Sequence, residues 1–364
     1  MDKLFVRSPY LHINKQENSN RSVLVNHLTA RANVYNEKEK KLMEMGNTPC
    51  NLSLFINLFG EDTVKQWLQK KILLEQDSIW KENCATLVEI ETSTVCNWKC
   101  QFCPNTFFKR KKRFQSLELF HDIIKKSADY GYIRYVSLHG YNEPTIDPLF
   151  LQRVDIIRKY KLKLVLFTNG TGVTKDILNS LANSGVLRSI YFNLPSVNPA
   201  IFIQRTGYKN PELIINHIQY AIDIGLKVII SVQGTKEEQL SELPLIEKKF
   251  PSAGITAIPS FDRAGVLKNY YNQDIHLNKR YLNGCGFVLT NVHIGIDGEM
   301  YLCLEDFFKK NVYANITDGS LSQILQCNKL QELKKKIWGD IYAEPDFICR
   351  KCIVMKGMDY TKLK

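Results

Sequence analysis

Cys96, Cys100 and Cys103 fall within eight residues, spaced C-x3-C-x2-C. That stretch constrains the chain more than any other. Three thiolates are one too few to close a tetrahedral metal site locally. They suit three corners of a [4Fe–4S] cube whose fourth iron stays open. A chance cluster of core cysteines or a local zinc site would leave the same triplet. The chain has ten cysteines, and its N-terminus has neither an apolar signal core nor a small-residue cleavage site. The expectation is therefore metal or redox chemistry in a reducing, cytoplasmic compartment, not a disulfide frame. No apolar run reaches the roughly 20 residues a membrane span needs. Lys and Arg number 49 against 37 Asp and Glu, leaving +12. This favours an acidic partner: a phosphorylated or carboxylated small molecule, an acidic peptide or nucleic acid. Aromatic residues are not interleaved with the basic ones in a repeated way, so nucleic acid is the least favoured of these.

Around the triplet the chain alternates strand and helix. Apolar runs at 87–92, 133–138, 162–167, 187–192, 227–232 and 254–258 read as strands. Helical patterns fill 117–128, 149–160, 174–183, 211–224 and 236–250. Six strands with helices between them argue an α/β fold with a parallel sheet and right-handed crossovers, a TIM-like barrel with its site at the C-terminal strand ends. The first 82 residues differ. They hold a strand at 21–26, then helices at 37–45, 53–59 (with Asn51 as candidate cap) and 62–71. Beyond 260 the pattern changes again. Two apolar runs flank Asp297-Gly298, a good hairpin signal, and helices follow at 320–326 and 329–337. The expected domains are 1–82, 83–260 and 261–364.

The motifs at the strand ends carry a resemblance. The cysteine triplet, the segment 139–144 and Thr168-Asn169-Gly170 resemble the radical S-adenosylmethionine (radical SAM) superfamily over roughly residues 86–260. The resemblance implies a partial (β/α)6 barrel and an open iron chelated by the amino and carboxylate groups of SAM. It places Phe102 near the adenine or shielding the cluster. Gly140, Tyr141, Asn142 and Glu143 match a Gly-Gly-Glu-Pro segment whose carbonyls and glutamate accept from the SAM amino group, an ammonium having only donors. Tyr141 and Asn142 depart from the glycine-rich form, which leaves the backbone at Asn142 open. Thr168 and Asn169 would lie near the ribose and methionyl groups. Asn193, Arg205 and Gln233 are further candidate SAM contacts, Arg205 because its fork suits a carboxylate. The basic run 109–113 reads as a solvated loop, or else as a lure for an acidic substrate at the barrel mouth.

Four more cysteines lie towards the C-terminus. Cys285, Cys303, Cys349 and Cys352, arranged 1+1+2, suit a fully ligated [4Fe–4S] cluster or a four-thiolate zinc site. With the Arg263-Ala264-Gly265 turn and the run Ala314-Asn315-Ile316, their order resembles the auxiliary cluster domains called twitch and SPASM. One auxiliary cluster is expected, with electron transfer as its role. Glu305 and Asp306 follow Cys303 and are the candidate catalytic carboxylates, for orienting a hydroxyl or accepting a proton. Surface carboxylates on a turn would look the same.

The activity implied is reductive cleavage of SAM to a 5′-deoxyadenosyl radical that abstracts hydrogen from a substrate. The electron would come from a donor such as flavodoxin or ferredoxin. The N-terminal unit is similar to the winged-helix peptide-recognition domain of some radical SAM maturases, or else caps the barrel mouth. The favoured substrate is thus a ribosomally made peptide, matured by crosslink, thioether or epimerisation, with Cys327 or Cys50 as a possible hydrogen-donating thiol. A second reading is a dehydrogenase or epimerase of a cyclitol, amino sugar or nucleotide sugar. A zinc- or iron-containing nucleic-acid-binding protein would rest on the charge alone.

Overall fold

The computed structural model describes residues 3–15, 22–29, 31–260, 262–267, 282, 284–352 and 355. The chain divides into two compact units. Unit one comprises the described residues of 1–85, 275–290 and 322–364, and unit two those of 86–274 and 291–321. Residues beyond 260 therefore contribute to both.

Unit one begins with β1 (Leu4–Arg7), β2 (Leu11–Lys15), β3 (Ser22–Asn26) and β4 (Arg31–Val34). Helix α1 (Glu37–Glu44), β5 (Cys50–Asn51), α2 (Leu52–Phe59), α3 (Glu61–Gln69) and β6 (Leu73–Glu75) follow. Two antiparallel three-stranded sheets result, ordered β5-β1-β6 and β2-β3-β4. Asn36 caps α1 by accepting from Lys38 N and Glu39 N. Asn51 precedes α2 but makes no side-chain cap bond, contrary to the sequence expectation. Gly60, at φ +86°, makes the turn between α2 and α3. Leu24, Leu42, Phe55, Val64 and Trp67 are buried together as one core. A second cluster centres on Tyr10, whose hydroxyl donates to Ile79 O at 2.7 Å. The Tyr10 ring meets Trp338 edge-on at 4.9 Å, just past the helix Asn328–Ile337. From that helix Lys334 Nζ donates to Glu82 O at 2.7 Å. Late chain is thereby built into the N-terminal core.

Unit two carries β7 (Leu87–Ile90), α4 (Leu117–Tyr130), β8 (Tyr135–Ser137), α5 (Phe150–Lys159), β9 (Lys163–Thr168) and α6 (Lys175–Ser184). Next come β10 (Leu187–Asn193), α7 (Pro199–Thr206), α8 (Pro211–Asp223), β11 (Val228–Gly234), α9 (Lys236–Lys249) and β12 (Gly254–Pro259). The six strands pair in sequence order and in parallel. Their side chains alternate with period two. On β10, Ile190 and Phe192 are fully buried, and on β11 so are Ile230 and Val232. Tyr191, Asn193, Ser231 and Gln233, one position out of phase, line a cavity instead. Helices α4, α6, α7 and α8 are started by side-chain caps at Ser116, Thr174, Asn198 and Asn210, and α9 at Thr235 by a full capping box with Glu238, while α5 has no side-chain cap.

The expected hairpin is present as β13 (Asn291–Ile294) and β14 (Glu299–Tyr301), followed by β15 (Val312–Asn315). Its placement was not foreseen. Strand β13 pairs in parallel with β7, so the sheet runs β12-β11-β10-β9-β8-β7-β13-β14-β15. The barrel is partial: β12 and β15 are the two ends of an open sheet. The expected α/β fold and its partial barrel are what the chain adopts.

Candidate active site

The C-terminal strand ends of unit two surround a cavity of about 300 Å³. All three cysteines of the triplet line it. Hydrogen bonds within the protein hold their loop. Lys99 N and Gln101 N donate to Thr206 O and Arg205 O at 2.9 and 3.0 Å. Thr106 Oγ1 donates to Cys100 O at 2.6 Å. Gly207, at φ +68°, ends α7, and a Cβ there would sit 3.2 Å from Lys99 Cβ. Trp98 packs edge-on against Phe202 at 5.2 Å.

The loop after β8 is tied to the loop after β9 through Glu143. This carboxylate is 2 % exposed. Oε1 accepts from Thr145 N, Thr145 Oγ1 and Thr168 Oγ1 at 3.0, 2.6 and 2.7 Å, and Oε2 accepts from Asn169 N at 2.5 Å. Burial raises the Glu143 pKa, and these donors oppose the rise. Glu143 N also donates to Val95 O at 2.8 Å, and Asn169 Nδ2 contacts Asn97 Oδ1 at 2.9 Å and Cys96 Sγ at 3.8 Å. Glu143, through its carboxylate and its backbone N–H, thus ties three loops together. Asn142 solves its own backbone problem. Its Oδ1 accepts from Gly140 N at 2.8 Å and its Nδ2 donates to Leu138 O at 3.1 Å. It has no positive φ, so glycine is not required there. Gly140 is more constrained, because a Cβ there would lie 3.0 Å from Glu91 Cβ and press on that buried side chain.

The cavity floor is aromatic. His139 meets Phe167 at 4.4 Å, and Phe167 stacks on Tyr191 at 4.5 Å. Beneath lies a buried polar cluster. Glu89 Oε2 is 2.9 Å from His293 Nδ1 and 3.0 Å from Asn291 Nδ2, while Oε1 is 3.5 Å from His139 Nε2. Burial works against the Glu89 carboxylate, but His293, His139 and Asn291 outweigh it and hold the pKa down at about 2. Burial pushes the His139 pKa down, against the pull of Glu89. On the far strands Asn193 Oδ1, Ser231 Oγ and Gln233 Nε2 are buried without a partner among the described residues. Three such atoms facing one cavity suit a polar ligand or ordered water.

Of the sequence candidates, Phe102, Gly140, Tyr141, Asn142, Glu143, Thr168, Asn169, Asn193 and Gln233 all line this cavity. Arg205 does not. Its Nη1 donates to Pro195 O at 2.8 Å and its Nη2 pairs with Glu238 at 3.1 Å, so its fork braces α7 against α9. Asp306 is consumed by its own turn, accepting from Lys310 N, Asn311 N and Asn311 Nδ2. Glu305 pairs at 2.8 Å with Arg263, and Arg263 is the member of that pair that lines the cavity. The basic run is not one solvated loop. Arg110 holds buried Glu91 with two bonds of 2.6 and 2.9 Å, and Arg113 pairs with Asp297. Sequence reading gives no role to Glu89, Phe167, Tyr191 or Ser231, and places Arg263 only in a turn leading to the auxiliary domain. Strand parity was the available signal for Tyr191 and Ser231, each two positions before a named candidate.

Residues 90–244 match the family described as the radical SAM superfamily, and residues 285–353 match SPASM, described as an iron–sulfur cluster-binding domain. The chain belongs to the radical SAM superfamily. This radical SAM chain is an enzyme of that family with a SPASM-type auxiliary iron–sulfur domain, which replaces the zinc and nucleic-acid readings. It is 21% identical over 270 residues to the S-adenosyl-L-methionine-dependent 2-deoxy-scyllo-inosamine dehydrogenase of Niallia circulans, across 73% of this chain and 92% of that protein. It is 24% identical over 176 residues to the tungsten-containing aldehyde ferredoxin oxidoreductase cofactor-modifying protein of Pyrococcus furiosus. That match covers 46% of this chain and 49% of the relative, so the chain spans about half the length of that relative. Among solved structures, Streptococcus suis SuiB bound to the precursor peptide SuiA matches with a TM-score of 0.59 at 16% identity, over 97% of this chain and 94% of that one.

The radical SAM family brings a [4Fe–4S] cluster and SAM, and the SPASM domain an auxiliary cluster. The cavity fits the first pair: three thiols on one wall, unpartnered polar atoms on the other. Among the described residues no three His, Cys, Asp or Glu side chains are gathered tightly enough to hold a single metal ion. Burial pushes the Cys96 thiol up to about 12, with the Glu143 carboxylate adding to it, and raises Cys100 and Cys103 as well. Cationic iron would reverse that preference by binding the thiolates. In unit one, Cys349 and Cys352 are buried on a tight turn, with Cys352 N donating to Cys349 O at 3.4 Å, and Cys285 follows Gly284, whose N donates to Ile337 O at 2.8 Å. In unit two, Cys303 follows β14 and its carbonyl accepts from Asp306 N at 3.0 Å. Cys50, Cys84 and Cys327 line no part of the cavity. Among the described residues no helix is long and apolar enough to cross a membrane.

Proposed function

We propose that this enzyme matures a ribosomally made peptide, with the N-terminal unit holding part of it. The observation that carries the reading is the first 85 residues. They form small sheets and three helices around their own core, and the likeness to a peptide-bound radical SAM structure runs over 97% of the chain, this part included. Cys96, Cys100 and Cys103 would hold the SAM-binding cluster. Cys285, Cys303, Cys349 and Cys352, all inside the SPASM match, would hold the auxiliary one. When bound, the first cluster and SAM supply the one-electron cleavage that starts hydrogen abstraction.

The chain's own residues place the reactants. The carbonyls of the 139–144 loop offer acceptors to an ammonium, while Glu143 fixes that loop. Asn193, Ser231 and Gln233 supply polar atoms to a ribose or carboxylate, and Phe102 offers an apolar face to adenine. The Phe167–Tyr191 stack gives the substrate a flat floor.

The test is anaerobic: reconstituted protein, dithionite, SAM, and any short precursor peptide found encoded near the gene. The expected result is 5′-deoxyadenosine release, a peptide-dependent mass change, and loss of both in Cys100→Ala. A second reading has its own support, since the Niallia circulans dehydrogenase is covered over 92% of its length. Deuterium passing from a labelled cyclitol into 5′-deoxyadenosine, with no effect of peptide, would refute the peptide reading in its favour. Deleting residues 1–80 is a poor discriminator, because it would strip the Tyr10–Trp338 contact from the late chain in the same unit. Point substitutions in the β2-β3-β4 sheet are preferable.

A further inference from the structure

We infer that the phenylalanine patch beside the cysteine loop, rimmed by Lys109, Lys111 and Lys112, is the docking surface for a small acidic protein that delivers electrons. The inference rests on family membership and not on the peptide reading.

Three large apolar side chains stand in solvent there. Phe107, Phe108 and Phe308 are 50%, 38% and 52% exposed. They are not scattered. Phe108 meets Phe308 at 5.1 Å and Phe307 at 5.8 Å, and Phe307 meets Phe308 at 5.1 Å. A contiguous exposed apolar cluster marks an interaction surface. Its charge is one-sided. Between Glu91 and Glu118 the sequence has no acidic residue but six Lys and Arg. Arg110 and Arg113 are matched by Glu91 and Asp297. Lys109, Lys111 and Lys112 are exposed, and among the described groups no carboxylate pairs with them. Only a partner with an acidic rim complements that arrangement.

Position selects the kind of acidic partner. Phe107 N and Phe108 N both donate to Pro104 O at 2.9 Å, so the patch begins one turn after the third cysteine. Inward, Phe307 packs edge-on against Tyr141 at 4.8 Å, and Tyr141 lines the same cavity as the three thiols. A continuous chain of ring contacts therefore joins the exposed patch to the cavity wall. An electron crosses such a packed wall, whereas a substrate must enter the cavity itself. The patch is small, as suits a transient redox encounter. One electron leaves the donor's cofactor, oxidising it by one unit. It reduces the cluster bound by the triplet by one, and no atom is exchanged.

The test uses full-length, cluster-loaded protein and a flavodoxin reduced by NADPH and its reductase. The triple variant Lys109→Glu/Lys111→Glu/Lys112→Glu should cut flavodoxin-driven 5′-deoxyadenosine formation and raise the flavodoxin Kd, each about tenfold at low salt. The gap between wild type and variant should shrink as salt is added. Dithionite-driven formation should be unchanged, and Phe308→Ser should reproduce the split without altering charge. Flavodoxin-driven rate and Kd equal to wild type would overturn the proposal. So would a loss of peptide-dependent turnover with dithionite, which would give the surface to an acidic substrate. Failure of the wild type with dithionite would instead strike the family chemistry, and the proposal with it.

Discussion

Arg110 sits in the middle of a basic run, yet its removal should be costly while that of its neighbour should not. Its guanidinium holds Glu91 through bonds of 2.6 and 2.9 Å. The Glu91 side chain is 1% exposed and also takes Lys309 Nζ at 2.8 Å and Tyr141 N at 3.3 Å. Burial raises the Glu91 pKa, but Arg110 and Lys309 overcome this and leave it lowered. Removing one partner of a buried pair costs roughly 3–5 kcal/mol, because the other charge is left in a dry site. Here Lys309 remains and the Arg110 side chain is 21% exposed, so Arg110→Ala should cost about 2–3 kcal/mol. Lys111→Ala, one residue on and exposed, should stay within about 0.5 kcal/mol of wild type. Urea unfolding of the two variants, with unchanged m, reads the difference directly. Because Glu91 also holds Tyr141 N, the Arg110 variant should bind SAM more weakly by calorimetry. The sign of the pH effect follows from the lowered pKa: the stabilisation is complete above the unfolded carboxyl range and is lost as pH falls through the folded value. Equal stability of Arg110→Ala and Lys111→Ala would refute the reasoning.

Other outcomes follow from the same geometry. Glu89, held at about 2 against an ordinary 4.5 by His293, His139 and Asn291, should stabilise the fold by an amount that is lost as pH falls from 4.5 towards 2. Denaturation of Glu89→Gln across that range should show the slope removed, and a wild-type slope would contradict the assignment. Asn193→Leu deletes a buried atom that has no partner among the described residues. Its unfolding temperature should hold or rise while SAM affinity falls about tenfold, and unchanged SAM affinity would move that atom to the substrate's side. Gly172→Ala would put a Cβ 2.5 Å from the Thr145 carbonyl, and a loss of about 2–3 kcal/mol in chemical denaturation is expected.

The legible parts of this fold were local. The cysteine triplet, the Asp297-Gly298 hairpin and the period-two strands each declare themselves within ten residues. The parts that were not legible depend on distant partners. Strand β5 has two residues and exists because Phe5 pairs with Cys50, while β1 also pairs with β6 from residue 75 back to 73. No window contains both halves. The chemistry of Arg205 was readable as a fork for a carboxylate. Which carboxylate it meets was not, because Glu238 arrives from the next-but-one helix. Arg110 and Glu91 lie 19 residues apart on either side of the loop they pin. Asp306 is instructive in the other direction, since an acidic residue just before a turn is more often needed by the turn's own amides than by a reaction.

The hydrogen bonds of the cysteine loop have a consequence for how the enzyme survives air. Its backbone is bound to Thr206, Arg205 and Glu143 by hydrogen bonds between main-chain atoms. A domain whose ligands are ordered only by their metal unravels when oxygen strips the metal away. This loop should keep its shape through such a loss, so that damage empties the site without erasing the mould in which a new cluster is cast.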